Sequence, residues 1–236
     1  EFYMLYKNEP HLYIFTGHFG SGKTEVAVNF ALDLKRNKPD AKVALIDMDI
    51  INPFFRSADA REVLESHGIT VETMLYANTN VDAPALTGKM APIIEDRSSY
   101  VILDIGGDDL GARACGYYAD IINNRPHTVY FVMNPFRPFT AEPELALKVF
   151  REIENATLTG IDEILDNSNL LDYTDHKTIA HGSSKTDAIA KQLGLPVRCR
   201  AVMKKNPSAV ACAEALFPPE EILLMDEYVK LLFSRT

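Results

Sequence analysis

The sequence predicts an α/β fold, a three-layer α/β/α arrangement around a mostly parallel sheet. Three observations predict it. Short apolar runs rich in β-branched and aromatic residues alternate with segments of helical period. Several of those runs are continuous rather than alternating, as strands covered on both faces require. The first run is joined to the first helical segment by a glycine-rich turn. Together they imply βαβ units with right-handed crossovers.

The strands are expected at Leu12–Thr16, Lys42–Asp47, Tyr100–Asp104, Thr128–Met133 and Val197–Val202, with a weaker one near Leu158–Leu165. In the first helix Val26, Ala27, Phe30, Ala31 and Leu34 make one apolar stripe opposite Glu25, Asn29 and Asp33. Further helices are expected at Ala58–Ser66, which ends before Gly68, and at Gly111–Ile122, Ala141–Glu154, Asp187–Leu193 and Ala209–Leu216. Ile222, Leu223, Val229, Leu232 and Phe233, interleaved with acids, suggest a last helix packed on the sheet across 218–234. Polar loops fall at Tyr76–Asn80 and at Asn167–Ser184, the second long enough to be a mobile functional segment. The whole chain, 1–236, reads as one domain with residues 1–11 as an N-terminal extension.

At 47% hydrophobic and 24% charged residues the composition is that of a globular protein able to bury a core without staples. A net charge of −9 argues against a mainly electrostatic nucleic-acid binder. Cys115, Cys199 and Cys212 are odd in number and far apart, so no disulfide scaffold or zinc ribbon is expected, and a reducing cytoplasm is the natural setting. No apolar run reaches the roughly 18 residues of a membrane span. The polar face of the last segment is acidic rather than basic, so no membrane-surface helix is expected either.

Gly17-His18-Phe19-Gly20-Ser21-Gly22-Lys23-Thr24 matches G-x-x-x-x-G-K-[ST], placed directly after a strand and opening an amphipathic helix. The glycines let backbone N–H groups converge on phosphate oxygens, and the helix N-terminus adds partial positive charge. Lys23 supplies a point charge to the β- and γ-phosphates, and the Thr24 hydroxyl is the expected Mg²⁺ ligand. Asp104 closes the strand Tyr100–Asp104 ahead of Gly106 and Gly107, the position of a Walker B aspartate, while Asp47 and Asp49 follow another strand. In open α/β sheets such strand ends surround the ligand. Asp108 and Asp109 read as caps of the next helix.

These motifs resemble the MinD/ParA/CobQ-type family within the P-loop class that includes signal-recognition GTPases and nitrogenase iron protein. The resemblance rests on the phosphate loop, on Leu45-Ile-Asp47-Met-Asp49 followed by Asn52-Pro53, and on Val101-Ile-Leu-Asp104-Ile-Gly-Gly, with weaker support from Asn134-Pro135 and Asn167-Ser-Asn169. It covers about Leu12 to Val202. It implies ATP hydrolysis on a P-loop NTPase sheet of seven or eight strands, with ATP and Mg²⁺ as cofactors and often a homodimer. It would make Lys23 and Asp49 catalytic, Asp49 by orienting the attacking water. Thr24, Asp47 and Asp104 would organise the metal. Gly17, His18, Gly20, Ser21, Gly22, Lys23, Thr24 and Glu25 would bind nucleotide, and Asn167 or Asn169 would meet the adenine edge. No N-K-x-D stands in the Asn167–Ser184 segment that would meet the base, which disfavours guanine. His18 stands where many members carry a second lysine that reaches the partner subunit's nucleotide, so the cross-subunit charge of the sandwich dimer is not supplied by lysine here.

The expected function is therefore an Mg²⁺-dependent ATPase whose nucleotide state switches a partner-binding surface. The competing reading is a biosynthetic enzyme of the CobQ or dethiobiotin-synthetase kind. It would phosphorylate a small acceptor in a pocket near Arg56, Arg137 and Tyr76–Ala85. Asn134-Pro-Phe-Arg-Pro-Phe-Thr140 reads mainly as a rigid connection, and Phe54 and Phe55 as core.

Overall fold

The computed structural model describes residues 6–48, 58–73, 90–107 and 109–229. Asp49, Asn52, Pro53, Phe54, Phe55, Arg56, Tyr76–Ala85 and Asp108 lie outside them.

Eight strands form one sheet: β1 (Leu12–Thr16), β2 (Val43–Asp47), β3 (Ile69–Thr73), β4 (Tyr100–Asp104), β5 (His127–Met133), β6 (Glu163–Asp166), β7 (Val197–Met203) and β8 (Ile222–Met225). Their order is β3-β2-β4-β1-β5-β6-β7-β8, and every pairing is parallel. Parallel neighbours need crossovers, and helices supply them. These are α1 (Lys23–Asn37), α2 (Ala58–Ser66), α3 (Met90–Glu95), α4 (Asp109–Tyr117), α5 (Ala119–Asn123), α6 (Pro143–Thr157), α7 (His176–Leu193) and α8 (Pro207–Leu216).

Strand β1 shows why three layers form. Alternate side chains of a strand face opposite ways, so Tyr13 and Phe15 pack toward α1 while Leu12 and Ile14 join the core under α3 to α7. On the α1 side Phe30 sits 4.8 Å from the Tyr13 ring and 5.1 Å from Phe15, edge-on. Cys115 and Cys199 are buried free thiols, and Cys212 is half-buried. Among the described residues no helix is long and apolar enough to cross a membrane.

Four expectations change. Of the segment 218–234 expected as a C-terminal helix, the described part forms a 3₁₀ turn at Pro219–Glu221 and strand β8 over Ile222–Met225, while 230–234, with Leu232 and Phe233, lie outside the described residues. Pro218 and Pro219 lack the N–H a helix interior needs, and the four-residue run Ile-Leu-Leu-Met suits an edge strand. Helix α7 begins at His176, so much of the expected Asn167–Ser184 loop is helical. Asp175 caps it, accepting the Thr178 N–H at 2.9 Å. The helix expected across Gly111–Ile122 breaks at Tyr118. Strand β3 and helix α3 were not foreseen.

Candidate functional site

The glycine-rich loop leaves β1 at the carboxyl edge of the sheet and enters α1. Gly17, Gly20 and Gly22 have φ of 157°, 77° and 84°, and the last two lie in the left-handed region where a side chain is strained. Two close approaches add a second reason for glycine. A Cβ on Gly17 would overlap the Val132 carbonyl of β5, and one on Gly22 would overlap the Asn167 amide.

Three connections from the same edge of the sheet brace the loop. Gly107, after β4, lies so close to Gly17 and His18 that a Cβ there would overlap the Gly17 carbonyl. Arg137, after β5, donates from Nε to the Gly20 carbonyl at 2.9 Å. Asn167, after β6, donates from Nδ2 to the Ser21 carbonyl at 2.7 Å. The Val26 amide closes the first helical turn on the Gly22 carbonyl. A trans peptide holds N–H opposite C=O, so tying the Ser21 carbonyl to Asn167 turns the Gly22 N–H the other way.

Each brace has its own support. Asn134 is buried and holds its loop through the Phe136 amide and the Asn169 carbonyl, which fixes the base of Arg137. Asp166, fully buried at the end of β6, accepts from Ser168, Ser183 and Thr186, which locks the residue before Asn167 onto α7. Burial raises the Asp166 carboxyl and the three hydroxyls pull it back. Gly182 within α7 leaves room for Ser168 and Phe136, which explains a helix-weakening residue there.

A cavity of about 340 Å³ opens beside the loop, lined by Gly20, Gly22, Lys23, Thr24, Glu25, Asn134, Arg137, Asn167 and Asn169. It extends past Leu171 to Met203, Lys205, Met225, Glu227 and Val229, at the ends of β7 and β8. Lys23 is buried at 6% exposure. Asn167 Oδ1 is buried without a hydrogen-bond partner among the described residues. Asn169 Oδ1 accepts the Leu171 amide, so this asparagine also stabilises its own turn.

On the other side of the loop, parallel register pairs Asp47 with Asp104, and Asp104 with Phe15 of β1. Both aspartates are buried, at 6% and 1% exposure. Magnesium binds through one or two carboxylates, a hydroxyl, phosphate oxygens and waters, and Thr24, Asp47 and Asp104 fit that donor set. Among the described residues no three His, Cys, Asp or Glu side chains gather into a protein-only metal site. Asp49 lies outside the described residues. His18 stacks on Phe139 with ring centres 4.1 Å apart.

The sequence reading missed the bracing role of Arg137 and the residues from Met203 to Val229. A lone Arg between prolines and a C-terminal apolar run carry no motif, and only the strand order brings them here.

No protein-family profile matches the chain, and no curated protein matches it. Solved structures do resemble it. Chloroplast FtsY from Physcomitrella patens has a TM-score of 0.58 and 19% identity, over 92% of this chain and 68% of that one. Signal recognition particle receptor FtsY from Elizabethkingia anophelis has a TM-score of 0.51 and 20% identity, over 82% of this chain and 59% of that one. Signal Recognition Particle 54 kDa protein from Aeropyrum pernix K1, in complex with GDP, has a TM-score of 0.52 and 17% identity, over 83% of this chain and 42% of that one. The chain thus spans less than two thirds of the second and third neighbours. At these identities the likeness is one of fold, and the fold is that of the P-loop NTPases.

Proposed function

We propose that the chain is an Mg²⁺-dependent ATP-binding protein, an ATPase whose nucleotide state switches a partner-binding surface. The observation that carries this reading is the phosphate loop braced from three separate strand ends beside a nucleotide-sized cavity. The amides of a preorganised loop and the α1 N-terminus receive phosphate oxygens, and Lys23 adds a charge that travels with the β- and γ-phosphates. Thr24, Asp47 and Asp104 would hold the magnesium, which neutralises phosphate charge. In hydrolysis a water oriented by Asp49 attacks the γ-phosphorus and the β–γ bridging P–O bond breaks. ADP and inorganic phosphate leave, with the proton released to solvent. Adenine rather than guanine rests on the lack of an N-K-x-D after β6; the chain's Asn37-Lys38-Pro39-Asp40 stands at the end of α1, ahead of β2, instead. Asn167-Ser168-Asn169 follows β6 directly, and an amide offers donor and acceptor without a charge. The MinD/ParA/CobQ-type resemblance supports a switching ATPase, with a protein partner or a second copy as the responding surface.

Calorimetry with ATP and GTP in magnesium, followed by phosphate release, tests this. ATP should bind more tightly than GTP. Turnover should fall by at least about 10³-fold in Lys23→Ala and Asp49→Ala, as when transition-state charge and water positioning are removed. Wild-type turnover in either variant, or no heat with either nucleotide, overturns the reading.

A further inference from the structure

Past β8 the chain does not leave the site. It turns back over the first turns of α1, and its attachment there is specific. Asn29, 6% exposed, makes a two-way bridge with Asp226, donating to its carbonyl at 2.9 Å and accepting its amide at 2.9 Å. Glu25 stands one residue after Thr24. One of its carboxylate oxygens accepts the Tyr228 amide at 2.8 Å and the other accepts the Val229 amide at 2.9 Å. The Asn29 amide also reaches the Glu25 carboxylate, at 3.2 Å. Charge-assisted bonds from consecutive amides hold a backbone in one register.

Outside this seam, Lys204 pairs with Asp226 at 2.6 Å. Lys205 bridges Glu227 at 2.9 Å and Asp172 at 2.8 Å, tying the tail to the connection after β6. Glu227 and Val229 both line the cavity.

The sheet order separates the two ends of the cavity. The carboxylates suited to the metal sit on β2 and β4, on one side of β1, whereas the tail follows β8 at the opposite edge. A triphosphate seated on the loop with its metal toward β4 has its nucleoside toward β8. We infer that Asp226–Val229 is the nucleoside wall of the site, positioned by Glu25 and Asn29 of the phosphate-loop helix. The helix that opens on the phosphates thereby also fixes what the ribose and base meet. This rests on the nucleotide reading above. Glu25 and Asn29 are positioning residues acting through the tail.

The test separates nucleoside from phosphate by comparing ATP with inorganic tripolyphosphate, both in magnesium, by calorimetry. Glu25→Gln cannot accept both amides with an equal charge, and Asn29→Ala removes the bridge to Asp226. Each should weaken ATP binding about tenfold while leaving tripolyphosphate within about twofold, the loss expected for charge-assisted bonds that order a binding wall. Equal weakening of both ligands, or of neither, overturns the proposal. A wild-type chain that binds neither ligand overturns the nucleotide reading itself. Hydrogen exchange on the wild-type chain gives a second measurement that requires no variant to fold. ATP should slow the amides of residues 226–229 and tripolyphosphate should not; equal rates with the two ligands overturn the proposal.

Discussion

The two ends of the cavity are built from different materials. At the proposed phosphate end, main chain packs on main chain, with Gly107 against Gly17 and Gly17 against the Val132 carbonyl, and the Arg137 and Asn167 side chains are added to that frame. At the nucleoside end, side chains do the holding: a carboxylate on two amides, an asparagine on one residue, and lysine ammonium groups on acids. Backbone contacts cannot be tuned by a single side-chain change, whereas each of the side-chain contacts can. The phosphates are common to all nucleoside triphosphates and suit the invariable construction. The base differs among them and suits the adjustable one.

If this contrast is correct, the largest effect should come from adding one methyl group at the phosphate end. Gly107→Ala should cost about 2 kcal/mol or more in stability, because backbone must shift to admit the Cβ, and ATP affinity should fall with it. Chemical denaturation with and without ATP measures both. Near-wild-type stability would show that the close approach is not rigid.

Asn167→Ala should come next. It leaves the buried Ser21 carbonyl without its donor, a loss of about 1–3 kcal/mol, read as a drop in affinity for ATP and tripolyphosphate alike. Arg137→Ala removes a comparable bond that is open to water, so its cost should be smaller, about 1 kcal/mol or less. The reverse ranking would mean that the brace after β5 dominates.

The smallest and most distinctive effect concerns pH at the nucleoside end. Burial, the largest influence, pushes the Glu25 carboxyl up to about 7; the Tyr228 and Val229 amides and Asn29 oppose this, and Glu227 adds to it. A carboxyl with a higher pKa folded than unfolded binds more protons in the folded state. Its contribution to stability is complete below the ordinary 4.5 and is lost as pH rises through about 7. The difference in denaturation midpoint between wild type and Glu25→Gln should therefore shift against the wild type across that window. A constant difference would place the Glu25 carboxyl outside it.

Legibility in the sequence followed burial. The interior strands β2, β4, β1 and β5 announce themselves as apolar runs and β7 as a mixed one, while β6 shows only weakly, its expected start at Leu158 lying ahead of Glu163. The two unforeseen strands, β3 and β8, are the two edges of the sheet. β3 offers only Ile69 and Val71 as buried residues, a signal too short to read against the neighbouring loop. Within the site, Gly17 to Thr24 carries a local motif because consecutive residues perform one task. The motif points to Asn167 as a base reader; the second task of its Nδ2, holding the Ser21 carbonyl 146 positions away, has no local signal. Gly182 counts locally against a helix, and its presence within α7 answers to Ser168 and Phe136, residues distant in sequence.

The contact between Glu25 and Val229 spans 204 positions, and this has a consequence for the order in which the protein is made. Chains emerge from the ribosome N-terminus first, so the phosphate loop and the three strand ends that brace it are synthesised well before the segment that covers the nucleoside. A nucleotide captured during translation would be held first by its phosphates alone, and the tail after β8 would then add the proposed nucleoside wall to a ligand already seated.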